Sequence, residues 1–178
     1  PAFVARFRQE AQSAAVLSHP NVVNVFDYGM EAGDPFIVME MIEGRSLSKV
    51  LREAKTLPQE RSVRIVSQLC DALEAAHRSG IIHRDLKPGN LMLVDLPGQT
   101  DFVKVLDFGS ASMRETHEHE EQITRAGSVI GTPSYMAPEY LRGDGFDHRV
   151  DLYATGTILY QMLCGTPPFG GRGQASIF

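Results

Sequence analysis

Residues 83–90 read "HRDLKPGN". Five polar or ionisable side chains, His83, Arg84, Asp85, Lys87 and Asn90, stand in eight positions, straight after the apolar pair Ile81–Ile82. Pro88 and Gly89 disfavour a helix, so the stretch reads as an irregular loop loaded with chemistry.

Working outward, residues 59–79 lead into the loop as a long helix with Val66, Leu69, Leu73 and Ala76 on one stripe, closed by Gly80. Downstream, "LMLV" (91–94) and "FVKVL" (102–106) read as short strands around a turn containing "DLPGQTD", and Asp107 ends the second strand. Upstream, residues 3–18 read as a helix with Phe3, Phe7, Ala11 and Ala14 on one face. The runs 22–28 and 36–41 read as a hairpin, and 46–55 as a helix. After Asp107-Phe108-Gly109 a polar stretch runs to residue 138 as a long loop. Residues 151–163 read as a buried helix, with Asp151 at its start, where an aspartate is also an ordinary cap. This order is not the strand–helix alternation of a doubly wound sheet. It points to an α+β, two-lobed arrangement with a seam near 42–45.

The chain has 178 residues and a formal charge of -5. The acidic balance argues against nucleic acid as a partner. The run 152–165 is shorter than the roughly 20 apolar residues a spanning helix needs. Cys70 and Cys164 lie in separate helical runs and read as two buried free thiols in a reducing compartment.

Oxygen ligands suit magnesium, which takes one or two protein groups alongside phosphates and water. Asp85, Asn90 and Asp107 are the candidates, and Lys87 supplies a point charge for a transferring phosphoryl group. Asp107 follows Asp85 by 22 positions, and "GTPSYMAPE" ends 32 positions after Asp107. Alone, each aspartate is a turn former; the three ordered motifs together are not accidental.

With these motifs the chain resembles the eukaryotic-type protein kinases, and most closely the bacterial serine/threonine branch, over its whole length. "RFRQEAQSAAVLSHPNVVNVFDYG" is similar to the same branch. The resemblance implies a partial protein-kinase-like fold, cut at both ends. Residues 1–42 would be a remnant of the small lobe and 43–178 most of the helical large lobe. It implies Asp85 as the residue that orients the substrate hydroxyl and Lys87 as the γ-phosphate contact, a pairing that indicates Ser/Thr acceptors. It implies Asn90 and Asp107 as Mg2+ ligands, and a structural role for His83.

Arg84 would read a phosphate on the 110–138 segment, with Thr124 and Ser128 as candidate acceptors. Thr132 would bond near the catalytic pair, and Phe108 would report active and inactive states by its packing. Glu10 would pair with a lysine upstream. Met39 would be the gatekeeper, Glu40 and Ile42 would offer backbone groups to adenine, and Met92 would floor its pocket. Asp151 would brace the catalytic loop. The implied partners are ATP, Mg2+, protein substrates bearing Ser or Thr, and a second copy for trans-autophosphorylation; the implied setting is cytoplasmic. The glycine-rich phosphate loop and its lysine do not precede Glu10, so the chain as written is expected to transfer little phosphate. The competing reading is a pseudokinase or scaffold. Gly89 stands where arginine-directed kinases carry glutamate, which leaves substrate preference open.

Overall fold

The computed structural model describes residues 17–32, 34–108, 133–143 and 145–169. The helix expected over 3–18, with Glu10, falls almost wholly outside this range, as do Thr124, Ser128 and Thr132.

The hairpin expected upstream is present, its first strand three residues later and its second two residues earlier than the sequence suggests. β1 (Val25–Glu31) pairs antiparallel with β2 (Asp34–Met39), Val25 opposite Met39. Val22 is not part of β1. It forms a lone parallel bridge with Val105, and Val105 N donates to Asn21 O. A second sheet runs β3 (Arg45–Ser46), β4 (Leu91–Leu96), β5 (Gln99–Val105). Nothing in the sequence signals β3, because two residues carry no periodicity; pairing of Ser46 with Met92 makes it a strand. The β4–β5 turn is also tighter than expected. It narrows to Pro97–Gly98, with Gly98 at φ 80°, so "DLPGQTD" is mostly strand.

Ser46 also caps α1 (Leu47–Ala54), its hydroxyl accepting from Lys49 N. α2 (Gln59–Arg78) buries Ile65, Leu69, Ala72, Leu73 and Ala76, a stripe at helical spacing. Ser79 ends it and Gly80 follows at φ 73°, the left-handed position glycine takes without cost. A 3-10 turn (Pro88–Asn90), a second one (Pro133–Tyr135) and the short α3 (Pro138–Leu141) lead to α4 (Arg149–Cys164). α2 packs against α4 on one side and β5 on the other. One core joins them: Leu47 and Leu51 from α1, the α2 stripe, Leu91, Val103 and Val105 from the sheet, and Ile158 and Met162 from α4.

Two expectations are corrected here. α4 is not buried all round: Ile158 and Met162 are fully covered, while Leu152, Tyr160 and Leu163 lie on its other face and are exposed. Cys70 and Cys164 are free but exposed. Cys70 follows Leu69 by one position, so it turns off the apolar stripe of α2. Among the described residues no helix is long and apolar enough to cross a membrane.

Candidate active site

The loop 83–90 is held from three sides. Asp151 lies in the first turn of α4 with its side chain fully buried. Its Oδ2 accepts the backbone N–H of His83 and its Oδ1 that of Arg84, each at 2.9 Å. His77, in the last turn of α2, places Nε2 2.8 Å from the same Oδ2 and donates to it. A carboxylate satisfied by three donors at a helix N-terminus tolerates complete burial. Asp151 is therefore a brace on the loop and not a simple helix cap. The brace also holds Arg84 at φ 67°, a left-handed conformation that costs a non-glycine residue energy.

The second anchor is His83. Its ring is fully buried, and Nε2 lies 2.8 Å from Leu106 O. A carbonyl only accepts, so Nε2 carries the proton. Nδ1 is buried and has no hydrogen-bond partner among the described residues. The ring packs on Phe108 at a tilt of 58°, with 4.8 Å between centroids. The enclosed ring thus ties the loop to residue 106 and to Phe108.

The third anchor is Asn90. Its side-chain Nδ2 donates to Asp85 O at 2.8 Å, and its backbone carbonyl accepts Leu106 N–H at 2.9 Å. The loop and the strand exit at 106–108 are thus stitched together. Asp107 does not end the strand, which stops at Val105; it follows at φ 59° with an exposed side chain.

Within this frame Lys87 Nζ lies 2.7 Å from Asp85 Oδ2, both side chains mostly buried. Because the Asn90 amide nitrogen is spent on Asp85 O, its carbonyl oxygen is the end left to face a cation. Asn90 and Asp107 offer hard oxygen donors, which fits magnesium held by few protein groups and by phosphates. Among the described residues no cluster of three or more His, Cys, Asp or Glu is placed to hold a metal unaided.

Other expected residues are dispersed. Met39 ends β2 and is exposed; Met92 is half-buried on β4, in the other sheet. Ile42 is half-buried in the connection between them. Glu40 N donates to Asn24 O, so only its carbonyl remains for a ligand. Its carboxylate meets Lys104 Nζ at 2.5 Å and Asn24 Nδ2 at 2.8 Å. Burial alone would raise the Glu40 carboxyl, but Lys104 and Asn24 together hold it below its ordinary value. Phe108 is buried against His83 as described. The Arg84 guanidinium lies 5.4 Å from the Phe146 ring centre, and Phe146 stacks edge-on against Tyr140.

Sequence reasoning missed His77, Lys104 and Phe146. His77 stands six positions before the loop with no local motif, and Lys104 alternates with apolar neighbours as any strand lysine would. Only the packing of distant elements gives them partners.

Residues 3–178 match the family model described as protein kinase domain. The chain is 50% identical over 167 residues to "Serine/threonine-protein kinase pkn3" of Myxococcus xanthus, which covers 93% of this chain and 30% of that protein. It is 45% identical over 176 residues to "Serine/threonine-protein kinase Pkn1" of the same organism, 99% of this chain and 25% of the other. Against "Serine/threonine-protein kinase PknB" of Mycobacterium leprae the identity is 42% over 181 residues, 99% and 28% respectively. The chain therefore spans between a quarter and a third of the length of these curated relatives.

Proposed function

This chain belongs to the protein kinase family, and from that premise we propose that the protein containing it transfers the γ-phosphoryl group of ATP to Ser or Thr hydroxyls of proteins. The observation that carries the proposal is the Asp85–Lys87 pair at 2.7 Å, on a loop whose backbone Asp151 pins. Residues 1–42 contribute to the small lobe and 43–178 to the large one, and the named relatives support the serine/threonine class.

In this reading the substrate hydroxyl donates its proton to the Asp85 carboxylate as its oxygen bonds to the γ-phosphorus. The bond from that phosphorus to the β–γ bridging oxygen breaks, and ADP leaves. Lys87 orients Asp85 and offsets charge on the phosphoryl oxygens. Asn90 and Asp107 would hold Mg2+, which neutralises phosphate charge when bound. Adenine would meet the Glu40 carbonyl and Ile42 backbone near Met39, with Met92 beneath. Glu10 would pair with the lysine that positions ATP. Arg84 would answer a phosphate on Thr124 or Ser128, with Thr132 beside the catalytic pair; a second copy could supply that phosphate in trans. A cytoplasmic setting suits ATP.

The full-length protein, incubated with labelled Mg-ATP and a Ser/Thr protein, should label it. Asp85→Asn should lower the rate about 100- to 10,000-fold. Undiminished labelling by the variant overturns the assignment. ATP binding without transfer by the parent protein would favour a scaffold.

A further inference from the structure

We propose that this chain selects protein substrates carrying an aspartate or glutamate within a few residues of the acceptor hydroxyl, an inference that rests on the kinase reading above and names its substrate class. A cavity of about 410 Å³ opens beside the catalytic pair. α1 and its C-cap Lys55 form one wall, Lys87, Pro88 and Gly89 another, and Tyr135 with the end of α4 the third. Among the described residues its charged lining groups are Arg52, Lys55 and Lys87, and no carboxylate lines it.

The three cations are not equivalent. Lys87 is committed to Asp85. Arg52 and Lys55 have no carboxylate partner among the described residues. Arg45, Arg61, Arg78, Lys104 and Arg149 each do: Glu53, Asp101, Glu74, Glu40 and Asp147. So, among the described residues, the cavity holds two positive charges that no carboxylate pairs, on a chain whose formal charge is -5. Local arrangement, not composition, makes it cationic, and a concave cationic surface concentrates anionic ligands.

The walls are fixed. Leu57 N donates to Met162 O at 2.7 Å, tying the α1–α2 connection to α4. A Cβ on Gly165 would sit 3.4 Å from Lys55 O, so the two segments touch. Tyr135 Oη donates to Gln161 Oε1 at 2.5 Å.

Gly89 forms the mouth of the cavity. It is not among the residues with positive φ, and a Cβ there would meet nothing within 4 Å. Neither conformation nor space requires glycine. What glycine does here is leave the mouth of the cavity without a side chain and without negative charge. An extended peptide advances roughly 3.3 Å per residue, and Lys87 belongs to both the catalytic pair and the cavity wall. A substrate hydroxyl at Asp85 therefore brings its near neighbours to Arg52 and Lys55.

The test is kcat/KM for the full-length protein with Mg-ATP and a neutral serine peptide, against variants with aspartate at successive positions on either side of the serine. One position should raise kcat/KM roughly three- to tenfold, mainly through KM, and the gain should shrink with added salt. The double variant Arg52→Gln/Lys55→Gln should reduce that preference to less than about twofold. Gly89→Glu should reverse it, so that arginine at the same position is favoured. A flat profile with measurable transfer overturns the inference alone, as does a preference that neither variant alters. No transfer to any peptide or protein overturns the kinase reading, and the inference with it.

Discussion

The buried carboxylate of Asp151 accepts the backbone N–H of His83 at 2.9 Å, so the first turn of α4 sets the backbone of a loop 68 positions earlier in the chain. Asp151→Asn would turn an amide N–H toward one of three groups that donate: the His83 amide, the Arg84 amide or the His77 ring. We expect a loss of about 2–4 kcal/mol in unfolding free energy, read from chemical denaturation. Because the same bonds hold Arg84 in its left-handed conformation, kcat should fall more than KM rises.

His83→Phe separates packing from proton chemistry. The variant keeps a ring against Phe108 but leaves Leu106 O without its donor. Stability should drop by about 1–2 kcal/mol. The shape of the kcat/KM pH profile should not change, since the enclosed imidazole has no route to a substrate proton. Disappearance of a titrating limb in this variant would contradict the structural role.

Arg61 binds Asp101 through two contacts, Nε at 2.8 Å and Nη2 at 2.7 Å. Asp101 is buried at φ 56°, just past the β4–β5 turn, while Arg61 is about a third exposed. Removing the arginine strands a buried charge, so Arg61→Ala should cost about 2 kcal/mol. The double variant Arg61→Ala/Asp101→Asn should recover part of that loss, measured as a coupling energy in a double-mutant cycle.

Glu40 and Lys104 give a pH signature. The Glu40 carboxyl lies below its ordinary value of 4.5, because Lys104 and Asn24 outweigh the opposing effect of burial. A depressed carboxyl contributes stability that is present above the ordinary value and is lost as pH falls through the depressed one. The stability difference between the parent and Lys104→Met should therefore be largest near about pH 7 and shrink toward about pH 3. A difference that is constant across this range would rule out the ion pair as its source.

Two glycines should respond oppositely to alanine. A Cβ on Gly44 would approach Leu93 O within 2.6 Å, a backbone atom that cannot yield cheaply, so Gly44→Ala should cost about 1–3 kcal/mol. Gly89 has open space, and Gly89→Ala should stay within about 0.5 kcal/mol of the parent or gain slightly. Paired thermal melts are sufficient to compare them.

What the sequence determined by itself was local. The stripe Leu69–Leu73–Ala76 and the glycine after it placed α2, because helical spacing and a left-handed C-terminus are written in neighbouring residues. The ordered motifs "HRDLKPGN", "DFG" and "APE" named the chemistry, because spacing along the chain is itself the signal. The short strand Arg45–Ser46, the exposure of Cys70 and the tight Pro97–Gly98 turn escaped it; each depends on what another segment offers across space. Tertiary structure alone decided which donors surround Asp151, why His83 keeps its proton on Nε2, and that Arg52 and Lys55 border one cavity with no carboxylate among the described residues lining it. Those facts rest on burial and on contacts between residues tens of positions apart, where the chain's linear order carries no distance information.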